Sequence, residues 1–211
     1  MTIDIEKLAD RPPLPEGPMS FEEFVERCPE NAHAEWVDGQ AILLHVTVAE
    51  RHDFIVKFLT WLFNHVSRFG RLGVVHGEPF LMHLPGLRRG RAPDLFFVRD
   101  ERRHLLRRHF LEGPADIVVE VLSPEGVHRD RVEKLAEYEQ AGVPEYWLID
   151  VEALAAEFRV LGPDGRYRLV LAGSGGQYES VVLPGLRLRV EWLWQERGPE
   201  MDEVLRLLGG Q

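Results

Sequence analysis

Lys134 is one of three lysines in a chain whose other twenty-two basic residues are arginines. An arginine is a planar fork of fixed charge, whereas a lysine is a compact ammonium whose pKa responds to burial and neighbours. A lysine held at one place in an arginine-rich chain points to chemistry, although compositional bias alone would also leave a few behind. Fourteen residues earlier, Glu120 stands inside the apolar run IVVEVL. Asp94 follows Pro93 and opens a second apolar run, DLFFV. Two acids and a lysine so placed outline a site that binds a divalent cation and hydrolyses phosphodiesters.

Strand alternation puts Glu120 on the face of Val118 and Leu122, and a near-continuous apolar run is usually buried on both faces. A carboxylate there is costly unless an arginine, a proton, a structural hydrogen bond or a metal ion compensates it. Asp94, at a strand end, can converge with Glu120. Without a cation, one of two such carboxylates would take up a proton; Mg²⁺, which favours carboxylates, carbonyls and waters, removes the conflict. A nearby lysine would then orient or deprotonate the attacking water, or neutralise developing charge. On a helix, Lys134 shares a face with Asp130 and Tyr138, so an exposed Asp130–Lys134 ion pair is the competing reading.

The elements that must carry these residues read as mixed α/β. MSFEEFVERC forms a helix capped by Ser20, with Glu23 at the capping-box position. AEWV and QAILLH flank Asp38 and Gly39 as a hairpin with a two-residue turn. Over residues 49–69, Phe54, Ile55, Phe58, Leu59, Leu62, Phe63 and Val66 recur at helical spacing, and Gly70 ends the run. Strands are expected over 73–84, 94–99 and 116–122, and a helix over 128–141 that stops before Pro144. EYWLID, AAEFRVL, RYRLVLA and SVVLPGLRLRVEWLW read as further strands, with a turn near Asp164 and Gly165 and a short terminal helix. Trp192 and Trp194, ending the last strand, read equally as core or as a dimer contact.

At 211 residues, 45% hydrophobic and 28% charged, the chain suits one core and one domain. A single cysteine, Cys28, excludes an intrachain disulfide and fits a reducing compartment. MTIDIEKLAD has no apolar secretory core, and no stretch reaches the ~18 apolar residues of a membrane span. A cytoplasmic protein with no membrane partner is expected. The net charge of −10 is unevenly spread: residues 1–40 carry ten acids against three bases, whereas residues 88–108 carry eight arginines against three acids. An arginine island enclosing Asp94 has the character of a phosphate-binding rim, and equally of a solvated surface. His83, His104 and His109 have no partner at zinc-ligand spacing.

The stretch APDLFFV…ADIVVEVLSPEGVHRDRVEKLAEYEQAGVPEYWLID resembles the Uma-two-type restriction endonuclease domain, a bacterial family of the PD-(D/E)XK nuclease superfamily. EVLSP, RDR-x-x-K-x-x-x-Y and AGVPEYWLID carry the resemblance, which runs from Ser20 to Trp194. It implies a restriction-endonuclease-like α/β core, a mixed β-sheet flanked by helices, here with additional antiparallel hairpins. It divides the chain into an N-terminal segment 1–19, the domain 20–194 and a helical tail 195–211. The implied activity is Mg²⁺- or Mn²⁺-dependent hydrolysis of DNA. Asp94 and Glu120 would be the metal ligands. Leu122 stands where the superfamily motif has its lysine, and that role passes to Lys134. Glu35, in HAEWVDGQ, resembles the early acid of the superfamily, and His52, in AERHDF, matches a histidine at the start of the long helix. PEG after EVLS departs from the expected Ser/Thr-rich turn. Arg88, Arg89, Arg91 and Arg129 are the expected contacts to nucleic acid, and a homodimer or higher homo-oligomer is the expected assembly. The alternative is a catalytically silent nuclease-fold module for binding or assembly, favoured by the acidic charge and the lack of a separate DNA-reading motif.

Overall fold

Local sequence chemistry explains most of the element ends. The computed structural model of the protein describes residues 16–29, 32–44, 49–123 and 129–209. Helix α1 (Phe21–Arg27) starts where the Glu23 amide donates to Ser20 Oγ at 3.1 Å and the Ser20 amide donates to the Glu23 carboxylate at 2.8 Å. Strands β1 (Ala34–Val37) and β2 (Gln40–Leu43) are joined by Asp38 and Gly39, both at positive φ (51° and 93°). A tight hairpin turn of the primed type demands this, and Asp-Gly tolerates it. Helix α2 (Glu50–Gly70) buries Ile55, Leu59, Leu62 and Phe63 completely. It runs through Gly70, and Arg71 takes the left-handed cap conformation instead.

The single strand expected over 73–84 is two strands in different sheets, β3 (Gly73–His76) and β4 (Leu81–Leu84). The break at Gly77 has a steric reason: a Cβ there would lie 2.4 Å from the Asp94 carbonyl oxygen. Next come β5 (Arg89–Arg91), β6 (Leu95–Arg99), β7 (Phe110–Glu112) and β8 (Ile117–Leu122). The PEG turn after EVLS lies outside the described residues. The helix expected over 128–141 begins as a π-helical turn, Arg129–Lys134, and continues as α3 (Leu135–Ala141) to a left-handed cap at Gly142. Tyr146 OH donates to the Asp130 carbonyl at 3.0 Å, drawing that oxygen away from the helical ladder where the turn is widened. Then follow β9 (Glu145–Asp150), β10 (Ala155–Leu161), β11 (Tyr167–Gly173), the ribbon of β12 (Gln177–Glu179) and β13 (Arg187–Arg189), and α4 (Met201–Leu207). The last expected strand ends early, at Arg189. Trp192 sits in a 3₁₀ turn packed into the core, which answers the core-or-dimer question for that residue.

A six-stranded sheet runs in the order β11-β10-β9-β8-β6-β3, parallel only between β8 and β9. A five-stranded sheet runs β2-β1-β5-β4-β7, parallel only between β4 and β7. β8 is the strand shared by two cores. Ile117, Val119 and Val121 face α2, Trp147 and Trp192, whereas Val118 and Leu122 pack with Phe96, Tyr138, Tyr146 and, from the smaller sheet, Met82 and Leu84. The near-continuous apolar sequence of β8 follows from burial on both faces. No helix among the described residues is long and apolar enough to cross a membrane.

Candidate active site

Glu120 lies on the face of β8 that looks toward α3 and the smaller sheet, and only 2% of it is exposed. Lys134, at the end of the π turn, is equally buried and donates to Glu120 Oε1 at 2.8 Å. Its Nζ is also 3.2 Å from Asp130 Oδ1 and 3.4 Å from Glu35 Oε1. The Asp130–Lys134 pair is therefore interior, not the exposed helix pair that its spacing would also allow. An ammonium has three N–H bonds, and three carboxylates stand around this one. The Tyr138 hydroxyl, one helical turn on, also donates to Glu120 Oε1 at 2.8 Å.

Glu35 reaches the site from β1 and is fully buried. Its Oε2 accepts from Arg91 at 2.7 Å and its Oε1 from the Ala92 amide at 3.2 Å. Arg91 is 2% exposed, and its remaining donors form a two-pronged contact with Glu137 on α3: Nε to Oε2 and a terminal nitrogen to Oε1, both at 2.8 Å. Arg89 donates to the same Glu137 Oε1 at 2.6 Å and meets Asp38 at 2.6 Å. This clamp ties β5 to the helix one turn beyond Lys134.

Asp94 joins the group through the sheet register. β6 and β8 pair Leu95 with Val119, Phe96 with Val118 and Phe97 with Ile117. One further step sets Asp94 opposite Glu120, and opposed residues of an antiparallel pair share a face. Asp94 Oδ2 accepts the Val121 amide at 2.7 Å, and Oδ1 lies 3.3 Å from His52 Nε2, presented by the first turn of α2. The acid thus caps the strand end and anchors the helix start.

Lys134 shares Glu35 with Arg91 and Asp130 with Arg129, whereas Glu120 has Lys134 as its one close cation, and the titration of Glu120, Lys134 and Glu35 reflects this. Burial pushes the Glu120 carboxyl up to about 8; Lys134 opposes this, while Asp130 and Asp94 reinforce it. Burial alone would lower the Lys134 ammonium, but Glu120, Glu35 and Asp130 outweigh it and raise its pKa. Burial would likewise raise Glu35, yet Lys134 and Arg91 bring it down to about 2. For His52, burial acts downward and the Asp94 carboxylate more than reverses it, so the imidazole titrates above its ordinary range.

The structure brings Lys134, Glu120 and Glu35 into direct contact and places Asp94 and His52 beside them. Of the arginines expected at nucleic acid, Arg88 is exposed and Arg129 is about one-third exposed. Arg89 is mostly enclosed, and the Arg91 guanidinium is committed inward to Glu35 and Glu137, so it is a structural donor rather than an outward-facing one. Three groups beside the site were not singled out as functional from sequence. Asp130 and Tyr138 were visible only as helix-face neighbours of Lys134, at i−4 and i+4. Glu137 had no local signal, because its arginine partners lie about 46–48 residues earlier.

Among the described residues, no group of three or more His, Cys, Asp or Glu side chains is arranged to hold a metal ion. A hard cation such as Mg²⁺ requires only one or two carboxylates, with waters completing its shell. Glu120 and Asp94 meet that requirement in donor type, and Oδ1 of buried Asp130, 3.2 Å from Lys134 Nζ, completes no hydrogen bond.

Residues 21–191 match the Uma2 family, described as "Putative restriction endonuclease". The fold is similar to the crystal structure of a "putative nuclease belonging to DUF820" from Anabaena variabilis ATCC 29413. The TM-score is 0.69 and the identity 16%, covering 84% of this chain and 98% of that one. That likeness shows a restriction-endonuclease-like fold of mixed sheets flanked by helices. No curated protein matches the chain.

Proposed function

We propose that this chain, which belongs to the Uma2 family of restriction-endonuclease-like proteins, hydrolyses DNA phosphodiesters with the help of Mg²⁺ or Mn²⁺. The observation that carries the proposal is a fully buried ammonium, Lys134, set among Glu120, Asp130 and Glu35, with Asp94 in register across the sheet. Asp94 and Glu120 would hold the cation, which when bound supplies Lewis acidity toward a phosphate oxygen and acidifies a coordinated water.

The protein's own groups account for the rest. Lys134, raised by its three acids, stays an ammonium at any working pH, so it acts by charge rather than as a base. Charge developing on the phosphate would draw it away from Glu120. Tyr138, a hydroxyl held neutral by burial, keeps Glu120 oriented while that exchange occurs. His52 fixes Asp94 from the start of α2. Arg129 is the natural phosphate contact: its Nε has no hydrogen-bond partner and lies 3.6 Å from Asp130 Oδ1. Arg88, two-thirds exposed, extends the positive rim.

A second reading has its own support. The saturation of Lys134 by three acids also suits a catalytically silent module in which the ammonium serves only the fold. Incubating the purified protein with plasmid and single-stranded DNA in Mg²⁺, Mn²⁺ or EDTA, beside Lys134→Ala, separates the two. The nuclease reading predicts metal-dependent nicking that EDTA and the substitution abolish. Intact DNA throughout, with all metals tested, supports the silent module.

A further inference from the structure

Most carboxylates at the site already have donors or, on the reading above, would hold the cation. Each oxygen of Asp94 has one partner, the Val121 amide and His52, and its remaining capacity goes to the cation on the reading above. Glu35 is taken by Arg91, Ala92 and Lys134. Glu120 Oε1 takes both Lys134 and Tyr138, and its remaining capacity goes to the cation on the reading above. Lys134 offers no acceptor at all. Asp130 retains an unpartnered oxygen but is 4% exposed, and it faces the ammonium.

One more acid stands beside this group and has no task so far. Glu78 follows Gly77, the residue whose missing Cβ lets the chain pass against the Asp94 carbonyl oxygen. The Glu78 amide donates to the Pro93 carbonyl at 3.0 Å, so the backbone entering the acid is held to the 93–94 segment. Its carboxylate is within electrostatic range of Asp94, His52 and Lys134. Oε1 lies 3.0 Å from His33 Nδ1, at the foot of β1 two residues before Glu35, a close contact whose angle leaves neither buried atom with a well-formed hydrogen bond. A carboxylate held by one such contact keeps lone pairs for a further donor, commonly a water. The Glu78 side chain keeps 17% of its surface open, which gives solvent a path to it. Burial also raises its pKa, with His33 opposing.

We infer that Glu78, steadied by His33, is a water-positioning residue of the hydrolytic site: its carboxylate accepts a hydrogen bond from the attacking water and aims it along the line set by Asp94. The inference rests on the nuclease reading and adds a residue that neither the motif nor the metal requires.

Single-turnover cleavage by Glu78→Ala and Glu78→Gln, beside the parent and His33→Ala, tests it, together with DNA affinity in Ca²⁺ and melting temperature. Glu78→Ala should lose about a hundredfold in the cleavage rate, the scale of one positioned proton-handling group. Affinity and melting temperature should hold. Glu78→Gln, whose amide oxygen still accepts, should recover part of the loss, and His33→Ala should lose less than Glu78→Ala. A parent that cleaves while Glu78→Ala cleaves equally fast overturns the inference and leaves the nuclease reading standing. Loss of rate in step with affinity or melting temperature overturns it in favour of a structural role. A parent that cleaves nothing with either metal removes both.

Discussion

Lys134 faces three carboxylates, of which Glu35 is also held by Arg91 and Asp130 lies 3.6 Å from Arg129 Nε, so Glu120, with Lys134 as its one close cation, bears the cost of burial. Its folded-state pKa is raised from 4.5 to about 8. A raised carboxyl contributes stability that is complete below the unfolded value and is lost as pH climbs through the folded one. The parent should therefore weaken between pH 4.5 and about 8 from this group, whereas Glu120→Gln, neutral throughout, should not. Urea denaturation without metal at pH 5, 6.5 and 8 checks this: the stability of Glu120→Gln relative to the parent should rise across the series, by on the order of 1–3 kcal/mol. Parallel curves would mean that Lys134 keeps Glu120 ionised and that the acid is held purely as an ion pair. The sequence already showed Glu120 as a carboxylate in an apolar strand, with its compensation open among four answers. The structure supplies a lysine and a tyrosine hydroxyl, and the charge left over is what a cation would meet.

At the scale of elements, the candidate site is held by β8, the π turn and β5. The first two were legible: the apolar run of β8 and the helix-spaced Asp130, Lys134 and Tyr138 are local patterns. The widened turn was not, because the Tyr146 hydroxyl that engages its carbonyl comes from the next strand. The split of residues 73–84 into β3 and β4 was hidden for a similar reason, since the cause is a long-range approach of Gly77 to Asp94. Least legible was the Arg91 clamp. An arginine island in sequence reads as surface, but one of its members is buried against two acids from distant segments. Removing one partner of a buried, hydrogen-bonded pair strands the others, at about 3–5 kcal/mol. Arg91→Met should therefore cost about that much in chemical denaturation, whereas Arg88→Met, at an exposed position, should stay within about 0.5 kcal/mol. Equal small losses would show that the clamp is ornamental to stability.

Over the whole molecule, the chain's net charge of −10 coexists with a positive rim. Because Arg91 and Arg89 turn toward Glu35 and Glu137, that rim is thinner than a count of arginines suggests, and on the proposed function Arg88 and Arg129 would be the ones to meet phosphate. On the proposed function, an acidic protein with so thin a rim would bind DNA weakly unless a cation joined the site, so metal and nucleic-acid binding should be linked. Cleavage assays depend on choosing a substrate that the protein accepts, whereas cation binding does not. The most direct test is thus a thermal melting series of the parent and Glu120→Gln in EDTA, Mg²⁺ and Mn²⁺ at about pH 8. A ligand that binds only the native state stabilises it by about 2.7 kcal/mol at a hundredfold excess over its dissociation constant, several degrees for a chain of this length. The parent should gain up to that amount with either metal, whereas Glu120→Gln should melt higher than the parent in EDTA and gain little from metal. A parent indifferent to both metals, with Glu120→Gln melting lower, would contradict it.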